Sequence, residues 1–127
     1  MGKDKTTLTD CEQLVMKVIW NSSEELTLPE IVKAVNETYQ KEWKPQTVST
    51  FLARLVKKNF LKSCRSGRTF YYQSLVSEKV YGNRMIENCV EFWGNNNAGD
   101  LLCALNEERK LRADEVEKIK ELIDELD

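Results

Sequence analysis

Three helix starts fall within the first 45 residues, and their spacing admits only short helices. Thr9 and Glu12 form an S/T-x-x-E capping box, in which each side chain satisfies the other residue's backbone N–H. Behind it Cys11, Leu14, Val15 and Val18 recur at helical period, so they are the expected core stripe. Asn21-Ser22-Ser23 ends the run. Thr27 with Glu30 repeats the box, and Pro29 occupies the first turn, where a missing N–H costs nothing. Leu28, Ile31, Val32 and Val35 are the expected core face of this second helix. Pro45 pre-sets helical φ for a third helix, reaching about Lys58 or Asn59. Its inner face reads Val48, Leu52, Leu55 and Val56, with Phe51 beside it.

The outer face of that third helix is Gln46, Thr50, Ala53, Arg54 and Lys57, polar at its start and cationic further along. Two extended runs follow, about Leu61 to Arg65 and Arg68 to Ser74, joined at Ser66-Gly67. Gly67 supplies positive φ for a tight turn, and Thr69-Phe70-Tyr71-Tyr72 has strong strand preference. Beyond Leu75 the pattern is helical again. Ser77 and Glu78 open a helix to about Trp93, with Val80, Ile86, Cys89, Val90 and Trp93 expected to be buried. A loop spans Gly94 to Gly99, a short helix Asp100 to Asn106, and a last helix about Ala113 to Leu126. The expected class is mainly α with a small β-hairpin: a winged helix-turn-helix over residues 1–75 and a helical dimerisation segment over 76–127.

Charge divides at the same place. The chain carries a net −2, yet residues 1–74 hold 12 Lys/Arg against 8 Asp/Glu, and residues 75–127 hold 7 against 13. Within 41–68, eight cations oppose the single acid Glu42. One half is thus suited to a polyanion and the other to protein.

Other classes lack their residues. Histidine is absent, and Cys11, Cys64, Cys89 and Cys103 form no CxxC or CxC pair, so neither metal nor cofactor is expected. Without histidine, a glycine-rich phosphate loop or paired acids, there is no catalytic constellation, and the chain reads as no enzyme. No apolar run reaches the roughly 18 residues of a membrane span. The polar start, Met1 to Thr7, has no apolar run behind it, so a cytoplasmic protein is expected.

Helix, helix, basic helix, basic hairpin is the order of a winged helix-turn-helix, and the residue types suit duplex DNA. A major groove admits one helix, whose N-terminal end meets base edges. Gln46, Thr47, Ser49 and Thr50 can hydrogen-bond bases or touch a thymine methyl. Lys44, Arg54, Lys57, Lys58, Lys62, Arg65 and Arg68 are the expected phosphate contacts. Val90, Trp93, Leu101, Val116, Ile119, Ile123 and Leu126 are the expected dimer contacts, because three short helices make no large core alone. The alternatives are that these apolar residues fold back onto the winged helix, or that the winged helix binds protein rather than DNA.

Three segments carry a resemblance over roughly Leu8 to Leu126. They are Leu8-Thr9-Asp10-Cys11-Glu12-Gln13-Leu14-Val15-Met16 through Ile19-Trp20; Trp43-Lys44-Pro45-Gln46-Thr47-Val48-Ser49-Thr50 to Arg54-Leu55-Val56-Lys57-Lys58; and Phe70-Tyr71-Tyr72. The sequence resembles the BlaI/MecI/CopY penicillinase-repressor family. The resemblance implies a homodimer on inverted-repeat operators, repressing genes for β-lactam resistance or copper homeostasis. For the β-lactam branch it implies a membrane sensor as partner and a protease that inactivates the repressor in its C-terminal segment. Three departures stand out. The copper branch's C-terminal CxC pair is missing. The Asn-Phe bond cleaved in the β-lactam branch has no counterpart in Leu102-Cys103-Ala104-Leu105-Asn106. Lys44 stands where family members often have a capping serine, and lysine cannot accept the free N–H bonds.

Overall fold

Both capping boxes are present as written. In a computed structural model that describes residues 7–126, Thr9 caps α1 (Asp10–Asn21) and Thr27 caps α2 (Leu28–Tyr39), each with its glutamate reaching back. Helix α3 (Pro45–Lys57) starts at its proline and ends one residue short of Lys58. The hairpin is β2 (Leu61–Ser66) with β3 (Thr69–Ser74), antiparallel. A further strand, β1 (Leu26–Thr27), pairs with β3 and makes a three-stranded sheet of order β1-β3-β2. Two residues carry no alternation to read, so β1 exists only through its partner Tyr71-Tyr72. The polar N-terminal stretch, residues 1–6, lies outside the described residues.

The core of the winged-helix part is Val15, Met16, Val18, Ile19, Ile31, Val35, Val48, Leu52, Leu55, Phe60 and Leu61, closed by Leu8 and Tyr81. On α2 and α3 the centre of each expected face is buried, while Leu28, Val32, Phe51 and Val56 lie half-buried at its edges. On α1 the expected stripe is displaced by one residue. Cys11 and Leu14 are half-buried, and the fully enclosed face is Glu12, Val15, Met16 and Ile19. A stripe traced through apolar residues alone passes over a glutamate, which can be buried only because a cation follows it in.

The hairpin turn also differs by one position. Ser66 pairs with Thr69, so Gly67 and Arg68 form its two corners. Gly67 has φ +65° and Arg68 is not in the left-handed region, the pattern of a type II′ turn with glycine first. Arg68 therefore sits at the apex rather than in the strand.

The chain divides into two units, one ending at Tyr81 and one starting at Gly82, so the boundary falls inside α4 (Glu78–Trp93). The first turn of α4 belongs to the winged helix. Tyr81 is buried there, accepts the Leu8 N–H at 2.8 Å, and stacks edge-on against Phe60 with ring centres 5.3 Å apart. Trp20 on α1 donates to the Val76 carbonyl at 2.8 Å, fastening the approach to α4.

The second unit comprises the rest of α4, α5 (Ala98–Glu108) and α6 (Ala113–Glu125). Neither α5 nor α6 has a buried residue within the single chain. The expected burial on α4 is not met either: Val80, Ile86 and Trp93 are exposed, and Cys89 and Val90 are half-buried. Helical period marked the right face, but burial needs a partner surface. Gly94 turns the α4–α5 corner, donating to the carbonyls of Cys89 and Val90. Between α5 and α6, Arg109 forks onto Glu115 with bonds of 2.9 and 2.8 Å, and Glu115 also accepts from the Arg112 backbone N–H. The Arg109 guanidinium and that N–H hold the Glu115 carboxyl down to about 2.

Candidate nucleic-acid interface

The turn between α2 and α3 is fixed by one side chain. Asn36 donates to the Trp43 carbonyl and accepts from the Trp43 N–H, both at 3.0 Å, as a backbone strand would. Gln40 ends α2 in the left-handed conformation at φ 53°, and the Trp43 ring lies 5.1 Å from that of Phe51. The path into α3 is thus set before its first residue. Sequence reading missed Asn36, whose role depends on a partner seven residues away.

Gln46, Thr47, Ser49 and Thr50 are all exposed on the first turns of α3. Thr50 Oγ1 donates to the Gln46 carbonyl at 3.1 Å, so its proton is used within the helix. What it offers outward is a lone pair and a methyl group. Lys44, the N-cap, makes no side-chain capping bond. The first N–H groups of α3 therefore stay available, and the positive end of the helix dipole adds to them.

The cations differ more among themselves than their sequence spacing suggests. Arg54 and Lys57 are exposed along α3, Arg54 lying over the Phe51 ring at 6.0 Å. On the hairpin, strand parity puts Lys62 and Arg65 on opposite faces. Arg65 is braced, its Nε donating to the Gly67 carbonyl at 2.8 Å while its guanidinium stacks over the cross-strand Phe70 at 5.5 Å. With Arg68 at the apex, the hairpin carries charge on both faces and at its tip. It resembles an edge more than a flat plate. Among the described residues Lys44, Arg54, Lys57, Lys62, Arg65 and Arg68 form no ion pair.

Lys58 corrects the expectation that it faces outward with the others. Its ammonium turns inward, 2.6 Å from Glu12 Oε1 and 3.1 Å from the Thr7 carbonyl. Glu12 is fully enclosed, and the same Oε1 accepts the Thr9 N–H at 2.9 Å. Burial pushes the Glu12 carboxyl up, the largest single effect, but Lys58 and the bonds to Thr9 together hold it below its ordinary value. An acid inside an otherwise apolar helix stripe was the sequence signal for such a partner.

The residues expected at a dimer contact lie on α4 to α6. Trp93, Ile123 and Leu126 are exposed, while Val90, Leu101, Val116 and Ile119 are half-buried. Among the described residues no three Cys, Asp or Glu side chains are grouped to hold a metal ion, and no helix is long and apolar enough to cross a membrane.

Known proteins share this arrangement. The sequence matches the penicillinase repressor family over residues 8–125. It is 28% identical to the penicillinase repressor of Bacillus licheniformis over 118 residues, covering 93% of this chain and 90% of that one. It is 26% identical to the methicillin resistance regulatory protein MecI of Staphylococcus aureus strain N315, covering 91% and 92%. The solution structure of the DNA-binding domain of the repressor BlaI superposes with a TM-score of 0.52 at 37% identity, over 62% of this chain and 93% of that one. The structure of monomeric Bacillus licheniformis BlaI with the blaP half-operator gives 0.51 at 36%, over 61% and 92%. A structure of RosR from H. salinarum gives 0.53 over 96% of both chains at 19% identity, a likeness of fold alone.

Proposed function

The chain belongs to the penicillinase repressor family, and from that premise we propose that it is a DNA-binding transcriptional repressor, acting as a homodimer on an inverted-repeat operator. One observation carries the reading. A neutral, exposed turn, Gln46 to Thr50, is held by Asn36 and Trp43 ahead of six cations that have no acidic partner among the described residues. Cations without internal partners gain from phosphate, whereas the neutral turn can discriminate bases. The BlaI structure named with a half-operator supports the same use of this fold.

In this reading Gln46, Thr47, Ser49 and Thr50 meet base edges, and Lys44, Arg54, Lys57, Lys62, Arg65 and Arg68 hold the backbone. Val90, Trp93, Leu101, Val116, Ile119, Ile123 and Leu126 close against a second copy, doubling the contacts on a symmetric site. The genes controlled are those of β-lactam resistance or a related stress response. A membrane sensor or a protease ends repression from the C-terminal unit, and the site of action is the cytoplasm.

Salt titration of binding to duplex DNA tests this directly. A dimer neutralising about eight phosphates gives log K falling against log[salt] with a slope near −7. A flat response would rule out DNA as the ligand and favour a protein-binding winged helix. Footprinting upstream of the protein's own gene then reads operator and half-site spacing together.

A further inference from the structure

The enclosed Glu12–Lys58 pair lies behind α3, away from the exposed reading turn, and it joins two elements that apolar packing alone leaves free to shift. Lys58 closes the C-terminal end of α3, and Glu12 sits in the first turn of α1. Their contact at 2.6 Å is extended by Lys58 to the Thr7 carbonyl and by Glu12 to the Thr9 N–H. Elsewhere α3 is gripped through Val48, Leu52 and Leu55, fully buried apolar side chains. Such contacts resist separation but have little directionality.

A buried ion pair contributes little net stability, because desolvation offsets its attraction; well-packed apolar residues often do as well or better. Here the offset is visible, since Glu12 Oε2 is buried with no hydrogen-bond partner. What the pair supplies is direction. Leu52 lies near the middle of α3, with the reading turn and Lys58 each about 9 Å from it at 1.5 Å per residue. A shift of about 1 Å at Lys58 therefore moves Gln46 and Thr47 by a similar distance the other way. Hydrogen bonds to base edges tolerate only a few tenths of an ångström.

We infer that Glu12 and Lys58 are positioning residues for operator discrimination: they set the angle of α3 so that its first turn reaches base edges in register. This rests on the DNA-binding reading above, and it removes Lys58 from the set of phosphate contacts.

The test compares the full-length chain with Glu12→Leu/Lys58→Met, Lys58→Gln and Lys58→Arg. Each is titrated against a duplex selected by the unmodified protein from a random pool, and against a scrambled duplex of equal length. The double variant should melt at or above the temperature of the unmodified chain. Its affinity for scrambled DNA and its salt slope should be unchanged, while the ratio of selected to scrambled affinity falls about tenfold or more. Lys58→Arg, which keeps the pair, should keep the ratio. Lys58→Gln should lose ratio without slope even if the double variant folds poorly. A folded double variant with its ratio intact would overturn the inference. So would a slope that falls by about one unit in Lys58→Gln, since that would make Lys58 a phosphate ligand. Failure of the unmodified chain to prefer any duplex would instead defeat the DNA reading itself.

Discussion

Adjacent lysines on one helix have opposite surroundings, and this is the sharpest residue-scale contrast in the molecule. Lys57 is exposed without an acidic partner among the described residues, whereas Lys58 is spent on Glu12. Lys57→Ala and Arg54→Ala should each weaken binding to every duplex and flatten the salt slope by about one unit. Thr47→Ala and Gln46→Ala should leave the slope intact and relax preference among operators; undiminished discrimination would assign the reading turn elsewhere. Glu12 adds a pH dependence. Its folded carboxyl is held below the ordinary value, so its contribution is complete above the unfolded carboxylate range. That contribution is lost as pH falls through the folded value, because protonation then favours the unfolded chain. Thermal melts from pH 6 downward should show a steeper acid loss for the unmodified chain than for Glu12→Leu/Lys58→Met.

Single elements carry their own strains and vacancies. Helix α3 lacks a side-chain cap because Lys44 occupies that position. Lys44→Ser should stabilise the fold by about 1 kcal/mol in denaturant titration, while weakening DNA binding if the ammonium contacts phosphate. The α4–α5 corner is the tightest glycine site. A Cβ at Gly94 would lie 2.9 Å from the Val90 carbonyl oxygen, 3.0 Å from that of Asn97 and 3.3 Å from Leu101 Cβ. Gly94→Ala should therefore cost about 1–3 kcal/mol, read in the C-terminal unit. The hairpin shows how much depends on register. Moving the turn by one residue takes Arg68 from a strand to the apex, and parity separates Lys62 from Arg65. Neither follows from the order of residues until the pairing is known.

At the scale of the whole molecule, the second unit holds the open question. Its apolar side chains, Phe92, Trp93, Leu122, Ile123 and Leu126 among them, are more than half exposed in the single chain. A second copy covering them would make the melting temperature rise with protein concentration. Ile119→Asp or Ile123→Asp should then give monomers in sedimentation, with a half-operator still bound and the full inverted repeat bound much more weakly. A dimer that survives both substitutions would place the interface elsewhere.

Much of this architecture was legible in the residues themselves. Caps, prolines and apolar period are local, so Thr9–Glu12, Thr27–Glu30 and Pro45 located three helices, and the hairpin followed from Gly67 and its aromatic strand. The polar and cationic outer face of α3 was readable for the same reason, since helical period alone sets which residues share a face. Only the tertiary structure decided the rest. It shifted the buried face of α1 onto Glu12, turned Lys58 inward, gave Asn36 the α2–α3 turn and created β1 beside Tyr71 and Tyr72. Each of these depends on a partner distant in sequence, and neither the energy of a buried charge nor that of a two-residue strand exists until that partner is brought beside it.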